Sequence, residues 1–343
     1  MKQKIFRYAF LAAVVCSLSL TADAQKRKTS KRTATKKSTT KKSTKQQDQV
    51  VAPVPATPTV TYNYDSLPVK PPVTSYENDN IVERLLVKDR TPLAYEHIRE
   101  DDAVYKQRVW RDIDVREKIN QPFLYAAEED NGSQRFIDIL LNAIQKDPNV
   151  IPYNALDDRF TKPMTKSELS LMLVGKPRYE RIPDRVQDPD GSKGIFKDTI
   201  LIDDFNSNGI NKFRLKEEWV FDKESSRMFV RILGIAPIQE DSTTIPGEKL
   251  DKVLFWVYYP KLRATLAKYE AYNSKNFGAR PTWEELFESR MFSSYIVKST
   301  IDNPKDLFLK DIPGLKENGI LRLWEGENIK NKIFDYEQNL WSY

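Results

Sequence analysis

The chain has 343 residues, with 55 Lys and Arg against 49 Asp and Glu, a formal net charge of +6, 1 His and 1 Cys. One histidine and one cysteine exclude a Cys/His zinc site and a disulfide framework. His97 is the one histidine from which a Ser-His-Asp unit could be built, and a lone His in a helix-like stretch reads as structural. The 11 glycines are scattered, and none opens a dinucleotide or phosphate loop, so no cofactor is expected.

Residues 1–24 read as a secretory signal. Lys2, Lys4 and Arg7 form the charged start, and Ala9 to Leu20 is apolar but too short to span a bilayer. Ala22-Asp23-Ala24 is a small-x-small cleavage pattern, which places the cut between Ala24 and Gln25. The rival reading is a lipoprotein signal at Cys16, but Val15 is bulky where such sites want a small residue. Cleavage after Ala24 leaves a mature chain without cysteine.

Residues 25–75 form a tail. Ten cations between Lys26 and Lys45 alternate with Ser and Thr, which predicts disorder, and Pro53 to Pro72 then supply an extended linker. Residues 1–50 hold 13 basic and 2 acidic residues, leaving 42 and 47 for the remainder. The basic balance therefore belongs to the signal and tail, and the folded part is mildly acidic. That argues against nucleic acid as a partner. The tail is either a solvated spacer or a binder of anionic envelope polymer.

From residue 76 the composition turns globular. Thr91-Pro92 predicts a helix start, and residues 104–119 fit neither period decisively. Ser133 to Lys146 carries a helical stripe of Phe136, Ile137, Leu140, Leu141 and Ile144, stopped by Asp147-Pro148. Thr165 and Glu168 stand in capping-box positions for a short helix ended by Gly175. Residues 176–209 read as a long loop. Within it, residues 204–209 match the opening of a calcium loop, but Leu215 stands where a bidentate Glu belongs, and a polar turn explains the same residues.

Residues 210–269 anchor the fold. Phe213 to Phe221, Met228 to Ile235 and Val253 to Tyr259 read as three strands of an antiparallel meander, with a turn at 222–226 and a loop carrying Pro237, Pro246 and Gly247. Pro260 opens a helix over 261–269. Thr282 opens another with Trp283, Leu286 and Phe287. Leu321 and Leu323-Trp324 read as a short strand, and residues 328–341 as a last amphipathic helix. The spacing from Trp110 through a helix to Ile151 equals that from Trp256 through a helix to Val297, which predicts a two-fold pseudo-repeat of halves 76–209 and 210–343. Identity between the segments is low, so chance spacing is the competing reading. The expected class is α+β, an antiparallel meander with packed helices after a disordered basic tail.

Asp112 and Asp114 would share a strand face, and a carboxylate pair can hydrolyse glycosides, the basis of an alternative reading as a cell-wall-binding or cell-wall-hydrolysing protein. Arg111 and Arg116 flank the pair, and an ion-paired, solvated face accounts for it as well.

The strings Arg90–Asp102, Val109–Asn120, Leu215–Phe221, Arg231–Pro237 and Phe255–Pro260 resemble the GldN/PorN family of the type IX secretion and gliding-motility system. The Lys/Thr-rich tail resembles its PorN branch most, and the likeness runs from about Tyr76 to the C-terminus. It implies a non-enzymatic periplasmic component, peripheral to the outer membrane. Such a component pairs in a ring with a PorK/GldK-like outer-membrane lipoprotein and contacts the periplasmic domain of a PorM/GldM-like motor protein. The family supplies no catalytic residues. Aromatic and arginine side chains favour protein interfaces, which nominates Trp110, Arg111, Arg116, Trp324 and Trp341 as partner-binding residues.

Overall fold

The computed structural model describes residues 64–69, 77, 81, 89–126, 135–183, 196–201, 204–242, 249–273, 275, 276, 278, 279 and 281–341. The signal, its cleavage site at Ala24 and Gln25, the basic tail, Ser133, Pro246 and Gly247 lie outside them.

The centre is a long hairpin of β5 (Ile210–Asp222) and β6 (Arg227–Ser242). Its turn is closed by Asp222, whose carboxylate accepts the Glu224 and Ser225 N–H groups and the Ser225 hydroxyl, while Ser226 takes φ 53°. β1 (Ala103–Asp114), β2 (Pro152–Asn154), β7 (Lys249–Val253), β8 (Phe255–Tyr258) and β9 (Tyr295–Ser299) complete an antiparallel sheet. Its order is β2-β8-β6-β5-β1-β9, with β7 pairing the end of β6. The expected meander is therefore present, and residues 103–114 resolve as strand.

Pro237, expected in a loop, lies inside β6 opposite Phe213. Proline cannot donate to a ladder. Its missing N–H falls where β7 gives way to β8, and its carbonyl still accepts the Leu254 N–H at 3.0 Å.

One sheet face is covered by α1 (Phe136–Lys146), α2 (Lys166–Val174), α3 (Tyr259–Leu266) and α4 (Trp283–Glu288). The five residues of the α1 stripe are all buried, and Phe136 meets Phe123, Phe213, Trp283 and Phe287 in one aromatic cluster. Each such side chain contributes about 1.5–3 kcal/mol when fully buried. The expected capping box of Thr165 with Glu168 forms, a second joins Thr282 to Glu285, and Gly175 ends α2 at φ 81°. Leu67 belongs to this same core, and the Ser66 carbonyl accepts the Ser170 hydroxyl, so the chain touches the helices well before residue 76.

α5 (Gly319–Trp341) packs along β9. Its inward residues Ile329 and Ile333 join Val109, Ile296 and Leu309, and Tyr336 stacks on Tyr105 at 4.0 Å. Gly326 permits the approach: a Cβ there would lie 3.2 Å from the Ile296 carbonyl oxygen. Leu321, Leu323 and Trp324, expected as a strand, are in the opening turns of this helix. Continuity with the amphipathic run that follows outweighs their local β preference.

Two further expectations are corrected. Residues 91–99 form no helix, because their polar groups find partners elsewhere. Glu284 accepts the Leu93 N–H, Arg263 donates to the Leu93 carbonyl, and the Tyr95 hydroxyl donates to Glu288. His97 is exposed on this strap. The loop at 176–209 contains a separate hairpin of β3 (Arg178–Pro183) and β4 (Phe196–Leu201). Residues 207–209 form a 3-10 turn into β5, with the Asn206 side chain accepting the Asn208 N–H. The two tryptophans of the spacing argument, Trp110 and Trp256, share one cluster with Ala236. β1 and β8 flank the central hairpin on opposite sides, an arrangement that does not by itself show a duplicated sequence.

Candidate functional site

β1 and β5 are antiparallel, which sets Asp112 directly opposite Arg214. The two side chains form a bidentate pair, Nε to Oδ1 at 2.7 Å and Nη2 to Oδ2 at 2.9 Å, with exposures of only 2% and 9%. Burial disfavours the Arg214 charge, but the hydrogen bonds and charge of Asp112 outweigh it, so its pKa is raised. The guanidinium also sits 4.9 Å from the Phe308 ring. Asp114 takes Arg116 at 2.8 Å through Nε, and Arg116 reaches Glu240 as well. Lys212 bonds Asp251 at 2.9 Å. The expected ion pairing is present, but at Asp112 it is buried and its partner is Arg214, not a flanking arginine. A carboxylate whose two oxygens are both taken by a buried guanidinium is not placed to move a proton.

The nominated interface residues separate. Trp110 is buried, with Lys298 at 4.3 Å and Lys216 at 5.4 Å from its ring, so it is removed from the surface. Arg111 is spent on Ser294, bonding its hydroxyl at 2.9 Å and its carbonyl at 3.3 Å. Arg116 is half-exposed within its ion pairs. Trp324 is 63% exposed, and Trp341 is the last residue of α5.

Trp324 is not alone. Ile320 (78% exposed), Leu323, and Phe334 (56%) fall on the same side of α5 at 100° per residue, opposite the buried Gly326, Ile329 and Ile333. The helix therefore carries a second apolar stripe facing solvent, interrupted by Glu327 and Lys330. A further apolar surface is the β3–β4 hairpin, where Ile182, Phe196 and Leu201 are exposed. Exposed stripes of this kind mark interaction surfaces. Sequence reasoning pointed to the 176–209 loop and to the aromatic C-terminal region with Trp324, but not to the helical stripe or the hairpin's exposed side chains, because one region was read as a strand plus a helix and the other as a loop.

Beneath the first turns of α5 lies a cleft of about 430 Å³, lined by Asp112, Arg214, Lys212 and Asp251 on the sheet side and by Phe308, Lys310, Gly319, Arg322 and Leu323 on the other. Tyr295 also faces it. Burial, and then the charges of Asp112, Asp251 and Asp114, push the Tyr295 phenol well above its ordinary range, so it stays protonated. No sequence signal announces this cleft, since its walls come from segments up to about 200 positions apart. Among the described residues no group of three or more His, Cys, Asp and Glu could hold a metal, and no helix is long and apolar enough to cross a membrane.

No curated protein matches the chain. The family model for the gliding motility associated protein GldN matches residues 98–342, which span β1 through α5 and thus the whole sheet, the cleft and the exposed stripe. The chain belongs to the GldN family, a component associated with gliding motility.

Proposed function

We propose that this protein is a non-enzymatic structural subunit of the type IX secretion and gliding-motility machinery. In this reading it is exported by the signal cut between Ala24 and Gln25. In the periplasm it joins a PorK/GldK-like outer-membrane lipoprotein in a ring and meets the periplasmic domain of a PorM/GldM-like motor protein. Family membership supports the setting. The observation that carries the mechanical role is the second apolar stripe of α5, centred on Trp324, on a helix whose other side is already buried. A ring needs two unlike surfaces, and the α5 stripe and the β3–β4 hairpin are unlike in shape and backbone type.

Crosslinking mass spectrometry on native envelopes tests the reading, with Trp324→Glu as the perturbing variant. Crosslinks from α5 to another envelope protein, and their loss with secretion in the variant, are the expected result. Undisturbed co-purification and secretion in the variant would remove α5 from the interface, and a chain crosslinked to nothing would end the structural reading. Deleting residues 25–49 separately tests whether the basic tail holds anionic envelope polymer; salt-sensitive retention should disappear.

A further inference from the structure

The geometry points to the cleft under α5 as a recognition site for a carboxylate, carried on a partner polypeptide as an acidic side chain beside an apolar one. This rests on the reading of α5 as an interface and specifies the chemistry of what reaches it.

The charge of the lining sets the ligand's charge. Lys212, Arg214, Lys310 and Arg322 stand against Asp112, Glu117 and Asp251, which leaves one net positive charge. Arg214 is held by Asp112 and Lys212 by Asp251. Neither Lys310 nor Arg322 has an ion pair among the described residues; Lys310 has only a distant contact with the Phe308 ring. Arg322 stands in the first turn of α5, where the helix end is itself positive and a cation without an anion is disfavoured. Asn318 caps the N–H groups of Ile320 and Leu321, and Gly319 itself lines the cleft. The protonated Tyr295 phenol makes no hydrogen bond among the described residues and supplies a further donor. These groups together match one negative charge with several acceptor sites. A phosphate dianion would bring a second charge toward Asp112, Asp251 and Glu117, which favours a carboxylate.

The walls set the carrier. Phe308, Val297 and Leu323 are apolar, and Leu323 continues into the exposed Ile320 and Trp324. A carboxylate bound at Arg322 would thus leave its neighbouring residue on an apolar shelf. That is the pattern of an acidic residue next to a leucine or similar side chain, and not that of a bare anion.

The test uses the mature chain, residues 25–343, titrated with acetyl-leucyl-aspartyl-leucine amide, its asparagine counterpart and inorganic phosphate. Binding is followed by NMR at the Leu323 methyls and the arginine Nε–H groups. The aspartyl peptide should saturate these signals, with the asparaginyl peptide weaker by about tenfold, the scale of a hydrogen bond to a charged group. Arg322→Glu should abolish the effect with an unchanged unfolding midpoint, and Lys330→Glu, outside the cleft on the same helix, should leave it intact. If Arg322→Glu does not fold, Arg322→Gln replaces it and should weaken binding. Equal binding of the two peptides, saturation by phosphate at lower concentration, wild-type affinity in the Arg322 variant, or no binding of the aspartyl peptide each overturns the inference. Such a failure leaves the Trp324 stripe untouched. Conversely, peptide binding retained in a Trp324→Glu chain that still co-purifies with its partners would remove the Trp324 stripe from the interface and keep the cleft.

Discussion

Replacing Asp112 with alanine is the sharpest perturbation the fold offers. It removes two hydrogen bonds of 2.7 and 2.9 Å and leaves Arg214, 9% exposed, without its anion. Stranding one member of a buried pair costs about 3–5 kcal/mol, a large part of the roughly 5–15 kcal/mol that holds a domain together. With a urea slope of about 3 kcal/mol per molar for a chain of this size, the unfolding midpoint should fall by about 1–2 M. The double variant Asp112→Ala/Arg214→Met removes the stranded charge and sets a thioether against Phe308. It should recover to within about 1 kcal/mol of the wild type, because a buried ion pair contributes little net stability over an apolar replacement. Urea unfolding followed by tryptophan fluorescence reads both numbers. A single variant costing under about 1 kcal/mol, or a double variant no better than the single, would refute the placement of this pair in the interior. The same variants decide the hydrolytic alternative: loss of a cell-wall-cleaving activity with unaltered stability would restore Asp112 as a chemical group.

Gly234→Ala should destabilise by about 1–3 kcal/mol, since its Cβ would lie 2.6 Å from Phe160 Cζ and 3.2 Å from Trp256 Cε3. Near-UV circular dichroism should report the shifted tryptophan, and an unchanged spectrum and midpoint would contradict the packing. Trp324→Glu alters a solvent-facing side chain, so stability should change by no more than about 0.5 kcal/mol while partner capture falls; a large loss of stability would mean the stripe is already covered. At Asp114, burial raises the carboxyl pKa, but the hydrogen bonds and charge of Arg116, with Lys212, lower it more, and the net shift is downward. A depressed folded pKa contributes stability above the unfolded value, near about 4, and loses it as the pH falls through the folded pKa. The midpoint difference between wild type and Asp114→Asn should therefore shrink from pH 6 toward pH 3, and a difference independent of pH would exclude the linkage.

The helices were legible where local rules and burial agree. The α1 stripe, the capping box of Thr165 and Glu168, the start at Thr282 and Gly175 act within one or two turns, and the tertiary structure uses them unchanged. The strap at 91–99 was misread because Thr91-Pro92 is a valid helix start in isolation. Glu284, Glu288 and Arg263, 170 to 193 positions away, offer its backbone and Tyr95 better partners than a helix would. Two guanidiniums, Arg231 and Arg263, lie 3.9 and 3.6 Å from the Tyr95 ring centre and anchor the segment there.

Alternation in β5 points to the meander, but it does not tell whether Arg214, Lys216 and Glu217 are covered. All three are buried. A strand's residue pattern tells which side chains share a face, and nothing about whether that face is later roofed. Here the roof is made by Phe308, the 155–163 segment and α5, each of which reaches the sheet only after the chain has closed. By itself, then, the amino-acid order determined the antiparallel hairpins, the short capped helices and membership of the GldN family, because those depend on neighbours in the chain. Which carboxylates are buried, which tryptophan meets solvent, and where four cations converge on one cleft were decided by tertiary contact alone, since each depends on groups that the backbone brings together from distant positions.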